Sequence, residues 1–442
     1  MSQVHPFAGL RYSLDHISTL ADVISPPYDK ISPQERDELW NSHENNIVKL
    51  ILPPPGGRNV DYATQFSSTE AGDWYAEAAK RLNHWIQEGI FQIDLPQYYI
   101  YRQTFRYEDR EYTRTGIFVA LQLQGDRGPH AHECTFEGPK ADRLRLLKAT
   151  RTNLSPIFLL ADGGSEQWQE LFRKSSTLVE FQDREGQHHS LHSIADNAIL
   201  DQASTFLSSR TLVIADGHHR FETAMNYCRE MQQQTGRNPD EEPWGRVMAL
   251  VVPIESPGLL VLPTHRVLSG LPEGWLRKLK ESAIQTCEVE DIPALQGDQI
   301  KTLLAQEQNH GAVAALDGSQ GILIRLKRNA LPPALEQVDA PLRSLNVTLL
   351  HRLILEDFLG LQGDALQKNV RYIRGEDQAL NLLRSGDANG AFLLRGIAPQ
   401  DVFQVSQQGV RMPQKSTDFY PKIPTGLVLR SVKDSRDEHE NH

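Results

Sequence analysis

The chain has 442 residues, 39% of them hydrophobic and 23% charged, which is enough to bury two or three separate cores while remaining compatible with water. A formal charge of -11 excludes proteins that grip nucleic acid through a broad basic surface, because that affinity comes from Lys and Arg releasing counterions. No apolar run reaches the about 20 residues that span a bilayer, and Met1 to Leu10 lacks the charged and apolar regions of a signal peptide. A cytoplasmic protein with small-molecule partners, no membrane and no nucleic acid is therefore expected, and its oligomeric state is not legible. Cys134, Cys228 and Cys287 are scattered and show no C-x-x-C spacing, so no sulfur chemistry is assigned.

In chain order, Ser25-Pro26-Pro27-Tyr28-Asp29 marks a loop, and the apolar run Ile47 to Leu52, ended by Pro53-Pro54-Pro55, reads as a buried strand. Trp74, Ala78, Leu82, Trp85 and Ile86 fall at helical spacing and Gly89 closes that helix. Tyr98–Phe105 and Gly116–Leu123 are aromatic and β-branched strands, completing an N-terminal α/β unit over 1–127. A middle unit, 128–265, carries a helix from Asp142, strands Pro156–Leu160, Thr211–Ala215 and Arg246–Pro253, a helix from Phe221 to Gln234, and an insertion near 163–209. A third unit, 266–430, alternates helices with strands at Gly311–Leu316, Gly321–Leu326 and Ala391–Arg395, with a helix near Pro399–Gln407. The charged residues 431–442 are expected to be disordered. The fold class is mixed α/β (α+β).

The strongest local signal is a buried strand ending in Asp216-Gly217-His218-His219-Arg220 and passing directly into a helix. Free N–H groups and the helix dipole favour an anion there, Gly217 admits close approach, and Arg220 can hold phosphate oxygens with two bonds. Asp216 is also suited to hold Mg²⁺ beside phosphates. The competing reading is a polar turn in which Asp216 merely caps the helix. A transition-metal site on the His pair is disfavoured, because adjacent residues point apart and no ligand follows at i+4.

Two further segments carry polar chemistry. In His130-Ala131-His132-Glu133-Cys134-Thr135, Glu133 can act as general base on a hydroxyl; a helix-capping cluster is the equal alternative. In Met412-Pro413-Gln414-Lys415-Ser416-Thr417 and Phe419-Tyr420-Pro421-Lys422-Ile423-Pro424-Thr425-Gly426, lysines and hydroxyls on proline-limited backbone suit a phosphate or carboxylate, the alternative being a docking strap. Pro263-Thr264-His265-Arg266 is a weaker signal of the same kind, and Pro26-Pro27-Tyr28-Asp29 weaker still.

Taken together, these segments resemble the free-serine kinases of the ParB and sulfiredoxin superfamily, which carry a Pro-His-Glu loop, a strand ending in DGHHR or DGHTR, and a Pro-Lys-Thr-Thr segment. Asp216 to Arg220 match the second motif identically, and Pro413 to Thr417 match the third with Gln414 as one extra residue. Over nearly its whole length the chain resembles the bacterial domain of unknown function family 1015. The resemblance implies a ParB/sulfiredoxin-like core in the middle unit and a C-terminal unit closing the substrate site. The activity it implies is transfer of phosphate from ATP or ADP, with Mg²⁺, to the hydroxyl of free serine or a similar metabolite. In that scheme Glu133 takes the hydroxyl proton and Asp216 organises the metal. Gly217, His218, His219 and Arg220 cradle the phosphates, and Lys415, Ser416 and Thr417 hold the acceptor. A nucleotide-responsive switch without chemistry and a phosphatase using the same anion site are the alternatives. Sulfiredoxin-like redox repair is discounted, because histidines stand where that activity needs a cysteine.

Overall fold

The structure, a computed structural model, describes residues 4–55, 74–124, 128–130, 137–293, 296–307, 311–327, 331–363, 368–413 and 415–434. These form two compact units, and the division does not follow the order of the chain: the first takes residues up to 259 and again from 421, and the second takes 260–420.

The first unit is built on an eight-stranded mixed sheet. Its order is Leu212–Asp216, Ile157–Ala161, Arg246–Pro253, Arg110–Gln122, Tyr98–Tyr107, His188–Ile194 and Ser176–Gln182, with Val4–His5 added against Arg110–Gln122. Arg246–Pro253 runs parallel to Ile157–Ala161 and antiparallel to Arg110–Gln122. Flanked on both edges, its residues from Val247 onward are all buried, which accounts for its uninterrupted apolar sequence. The helix His218–Thr235 covers this sheet with Ala224, Tyr227 and Cys228, spaced as one helical stripe, against a core that includes Ile157, Leu159, Ile214 and Val251. It stops at Gly236, whose φ of 68° and N–H bond to the Gln232 carbonyl make a left-handed cap.

A smaller sheet orders Phe91–Ile93, Gly9–Tyr12, Leu429–Ser431 and Thr152–Asn153 side by side. Its third strand comes from the far end of the sequence and pairs with both the beginning and the middle of the chain. The second unit has a six-stranded antiparallel sheet: Cys287–Ile292, Gly321–Leu326, Ala312–Leu316, Gly390–Leu393, Thr264–Leu268 and Val370–Arg374.

Several expectations change. Ile47 to Leu52 is not a strand: Val48–Ile51 is a single helical turn, with the Asn46 side chain accepting from the Val48 N–H and the Asn46 carbonyl from Lys49. An apolar run of six residues fits a buried turn as well as a strand, and the Asn46 side chain, by taking the Val48 N–H, favours the turn. The segment read as an insertion contributes a helix, Ser165–Arg173, and a hairpin whose second strand, His188–Ile194, pairs with Tyr98–Tyr107. Strands of the expected first and middle units thus share one sheet. Residues 421–434 pack with the first unit rather than extending the third, and Leu429, Val432 and Asp434 are buried there; 435–442 lie outside the described residues.

Candidate functional site

The Asp216-Gly217 turn is shaped by its strand. The register with Ile157–Ala161 slips between Ile214, opposite Leu159, and Asp216, opposite Phe158, so Ala215 bulges and the strand end is re-aimed. Gly217 then takes φ 89° and, as the N-cap residue of the helix His218–Thr235, offers it no side-chain cap. Glycine is required on two counts. The left-handed backbone disfavours a Cβ, and a Cβ there would lie 3.0–3.1 Å from the Arg220 guanidinium folded over it.

Asp216 is surrounded by cations. Its Oδ2 accepts from Lys422 Nζ at 2.8 Å, its Oδ1 accepts from the Gly217 N–H at 2.7 Å, and Arg220 Nη2 stands 4.0 Å away. Burial alone would raise the carboxyl's pKa, but Lys422, Arg220 and Lys30 act against it and hold it far below the usual carboxylate range. Arg220 also donates to the Pro156 carbonyl through Nη1.

A fourth cation, Arg114, is 1% exposed. Its Nη2 donates to Gln103 Oε1 at 2.5 Å and to the Pro421 carbonyl, next to Lys422, at 2.7 Å. The guanidinium lies 5.3 Å from the Phe158 ring, and its Nε and Nη1 have no partner among the described residues. Burial pulls its pKa down to about 10, against the opposing pull of Tyr101 and Asp216.

The Pro26-Pro27-Tyr28-Asp29 loop belongs to the same unit. Ser25 and Thr425 exchange backbone hydrogen bonds at 3.1 and 2.8 Å, tying it to the segment after Lys422. Arg143 stacks over the Tyr28 ring at 4.2 Å and is ion-paired to Asp142, whose Oδ1 accepts from Tyr75 Oη at 2.8 Å. Burial, and Asp29 after it, push the Tyr28 phenol above its ordinary range. Tyr28, Arg143, Arg220, Thr223 and Thr425 border a cavity of about 60 Å³.

Of the residues singled out in the sequence, Asp216 to Arg220 stand together at this turn, with His218 buried and His219 half-buried. Glu133 lies outside the described residues. Lys415, Ser416 and Thr417 lie in the second unit. There the Lys415 carbonyl accepts from Arg266 Nη2 at 3.1 Å, Lys415 has φ 56°, and the Ser416 hydroxyl donates to the Pro413 carbonyl. The Pro263-Thr264-His265-Arg266 segment is therefore structurally joined to the Lys-Ser-Thr segment, through an Arg266 that is 1% exposed and also donates to His351 Nε2 at 3.2 Å. Sequence reasoning noted Lys422 within a phosphate-suited stretch but gave it no role. Arg114 carried no local signal, being one arginine in a strand otherwise rich in polar residues at that end. Among the described residues no group of three His, Cys, Asp or Glu side chains is placed to share a metal ion, and no helix is long and apolar enough to cross a membrane.

Solved structures similar to this chain include a free serine kinase in complex with AMP (13% identity, 72% of this chain and 91% of that one covered, TM-score 0.36). A conserved hypothetical protein from Pyrococcus furiosus (14%, 70% and 93%, 0.33) and SbnI with a C-terminal truncation from Staphylococcus aureus (11%, 73% and 93%, 0.34) are also similar. No curated protein matches. The sequence profile of one family, described as "Protein of unknown function (DUF1015)", matches residues 4–348, and the chain belongs to that family.

Proposed function

We propose that the chain binds a nucleotide through its phosphates at the Asp216-Gly217 turn and transfers a phosphate from ATP or ADP to the hydroxyl of serine or a similar small metabolite. The observation that carries the reading is the concentration of Lys422, Arg220, Lys30 and Arg114 around one carboxylate, at the N-terminus of an 18-residue helix. Cationic side chains gathered at a helix N-terminus suit the oxygens of a phosphate chain.

In the transfer the acceptor oxygen forms a bond to the terminal phosphorus while the bond to the nucleotide's bridging oxygen breaks. The products are the O-phosphorylated metabolite and a nucleotide shortened by one phosphate. Glu133 is assigned the hydroxyl proton by its motif. Gly217, His218, His219 and Arg220 are assigned the phosphates, and Lys415, Ser416 and Thr417 the acceptor. Such chemistry asks mainly for positioning and charge cancellation. Mg²⁺, carried largely by the phosphates, would be held by Asp216, whose Oδ2 is the atom that Lys422 bonds; its contribution when bound is to neutralise charge on the phosphate oxygens.

The test is phosphate transfer from ATP and from ADP, with Mg²⁺ and a panel of hydroxylated metabolites including L-serine, in wild type, Glu133→Gln and Asp216→Asn. A phosphorylated product lost in both variants is expected. Nucleotide binding without any acceptor, unchanged by Glu133→Gln, would instead establish a nucleotide-responsive switch.

A further inference from the structure

Three non-glycine residues among those described have left-handed backbones: Glu108, Arg151 and Lys415, with φ of 56°, 46° and 56°. A Cβ makes that conformation costly, so each needs a cause. Glu108 lies in the two-residue turn that joins Tyr98–Tyr107 to Arg110–Gln122, and such hairpin turns favour a positive φ. Arg151 follows the helix Glu137–Thr150, and its N–H bonds to the Leu147 carbonyl as a helix-ending cap. Lys415 has neither cause: the helix Pro399–Gln407 has already ended, and the strand Phe419–Tyr420 has not begun.

What meets the Lys415 backbone is Arg266, which is 1% exposed. Its Nη2 donates to the Lys415 carbonyl at 3.1 Å, its Nε to His351 Nε2 at 3.2 Å, and its Nη1 to the Thr264 carbonyl. The guanidinium is thus fixed by the strand Thr264–Leu268 and the π-helix Leu349–Phe358, and the Tyr372 ring lies 5.2 Å from it. Keeping a cation there is expensive, and burial pulls its pKa down to about 10. The following residues are pinned as well. The Ser416 hydroxyl donates to the Pro413 carbonyl, Asp418 Oδ1 accepts from Arg374 Nη2 at 2.6 Å, and the Asp418 carbonyl accepts from the Leu262 N–H at 2.9 Å. Backbone strain persists only where the surroundings over-determine it, and such places gather at ligand clamps.

We infer that Arg266 is a positioning residue: it holds Lys415 in the left-handed conformation and so presets the Lys415-Ser416-Thr417 segment for the phosphate acceptor. The hold on Lys415 stands on the geometry alone. The link to the acceptor rests on the proposed function.

The experiment compares the full chain as wild type, Arg266→Met, Arg266→Lys, Lys415→Gly and the double variant of Arg266→Met with Lys415→Gly. Trypsin digestion of the folded protein, read by mass spectrometry, should cut after Lys415 roughly tenfold faster in Arg266→Met than in wild type. The increase should be smaller in Arg266→Lys, which keeps one donor group, and cleavage after Lys278 in the same unit should not change. Lys415→Gly should raise the unfolding temperature, because glycine takes this backbone without a Cβ clash, and the rise should vanish once Arg266 is replaced by Met. In phosphate transfer, Arg266→Lys should raise the acceptor KM with ATP affinity as in wild type. A cleavage increase shared equally by Lys278, a Lys415→Gly protein that unfolds no higher than wild type, or an unchanged acceptor KM in a variant newly cut after Lys415 would overturn the inference. Should Arg266→Met fail to fold, Arg266→Lys and Lys415→Gly decide it. Absence of any transfer in wild type removes the proposed function, and cleavage and unfolding then still decide whether Arg266 holds Lys415.

Discussion

Lys422 Nζ and Asp216 Oδ2 meet at 2.8 Å although 206 positions separate them in sequence. The pair joins the strand-to-helix turn at Asp216 to the returning C-terminal segment, and with Arg220 and Lys30 it holds the carboxyl's pKa below the usual carboxylate range.

Replacing Lys422 by Met leaves Asp216 with the Gly217 N–H and an Arg220 at 4.0 Å. The pair is partly exposed, with side chains 15% and 27% accessible, so the loss should be about 1–3 kcal/mol in chemical denaturation rather than the larger cost of a fully buried pair. If the turn binds phosphates as proposed, ATP affinity should fall about tenfold, roughly 1.4 kcal/mol, with the loss of this cation. An affinity unchanged in this variant would remove Lys422 from the phosphate site.

The depressed pKa of Asp216 gives a signed pH dependence. Ionised in the folded state at pH values where the unfolded carboxyl, near 3.9, is protonated, Asp216 contributes stability that is complete above about pH 5. That stability is lost as the pH falls through and below the unfolded value. Thermal unfolding between pH 3 and 7 should therefore show a shallower acid limb in Asp216→Asn than in wild type.

At Gly217, alanine meets both a left-handed backbone and the Arg220 guanidinium. Gly217→Ala should cost about 1–2 kcal/mol and weaken nucleotide binding more than an alanine at the exposed Gly236, which has open space around its Cβ position. Equal effects on nucleotide binding at the two glycines would show that Arg220 need not pack over the turn.

In the second unit, Arg266 Nε donates to His351 Nε2, which places the imidazole proton on Nδ1. Burial, then Arg266 and Arg352, pull the His351 pKa from 6.5 to about 3. The unfolded chain takes up this proton first, so the unit loses stability as the pH drops below about 6.5 and continues to lose it down to the folded value. His351→Gln keeps an acceptor for Arg266 and removes the titration; its unfolding temperature should depend less on pH between 7 and 4.5.

Most regular elements were legible because their signals are local. Arg246–Pro253 is apolar throughout, and the helix after Asp216 has a stripe of apolar residues and a terminal glycine. The DGHHR turn was legible for the same reason. What sequence did not disclose is long-range pairing. The hairpin Ser176–Gln182/His188–Ile194 looked like a polar excursion because several of its side chains face solvent, yet its backbone extends the main sheet. Lys422 and Arg114 are ordinary basic residues until the fold brings them to Asp216, and short apolar runs such as Ile47 to Leu52 suit either secondary structure.

The interrupted layout of the first unit has a consequence for biosynthesis. Its sheet of Gly9–Tyr12, Leu429–Ser431 and Thr152–Asn153 needs a strand that the ribosome delivers after all of the second unit. During translation Asp216 and Arg220 are made while Lys422, Thr425 and that closing strand do not yet exist. The Asp216–Lys422 pair thus forms only after the whole of residues 260–420 has been made, and a growing chain halted before residue 421 has the turn without its lysine.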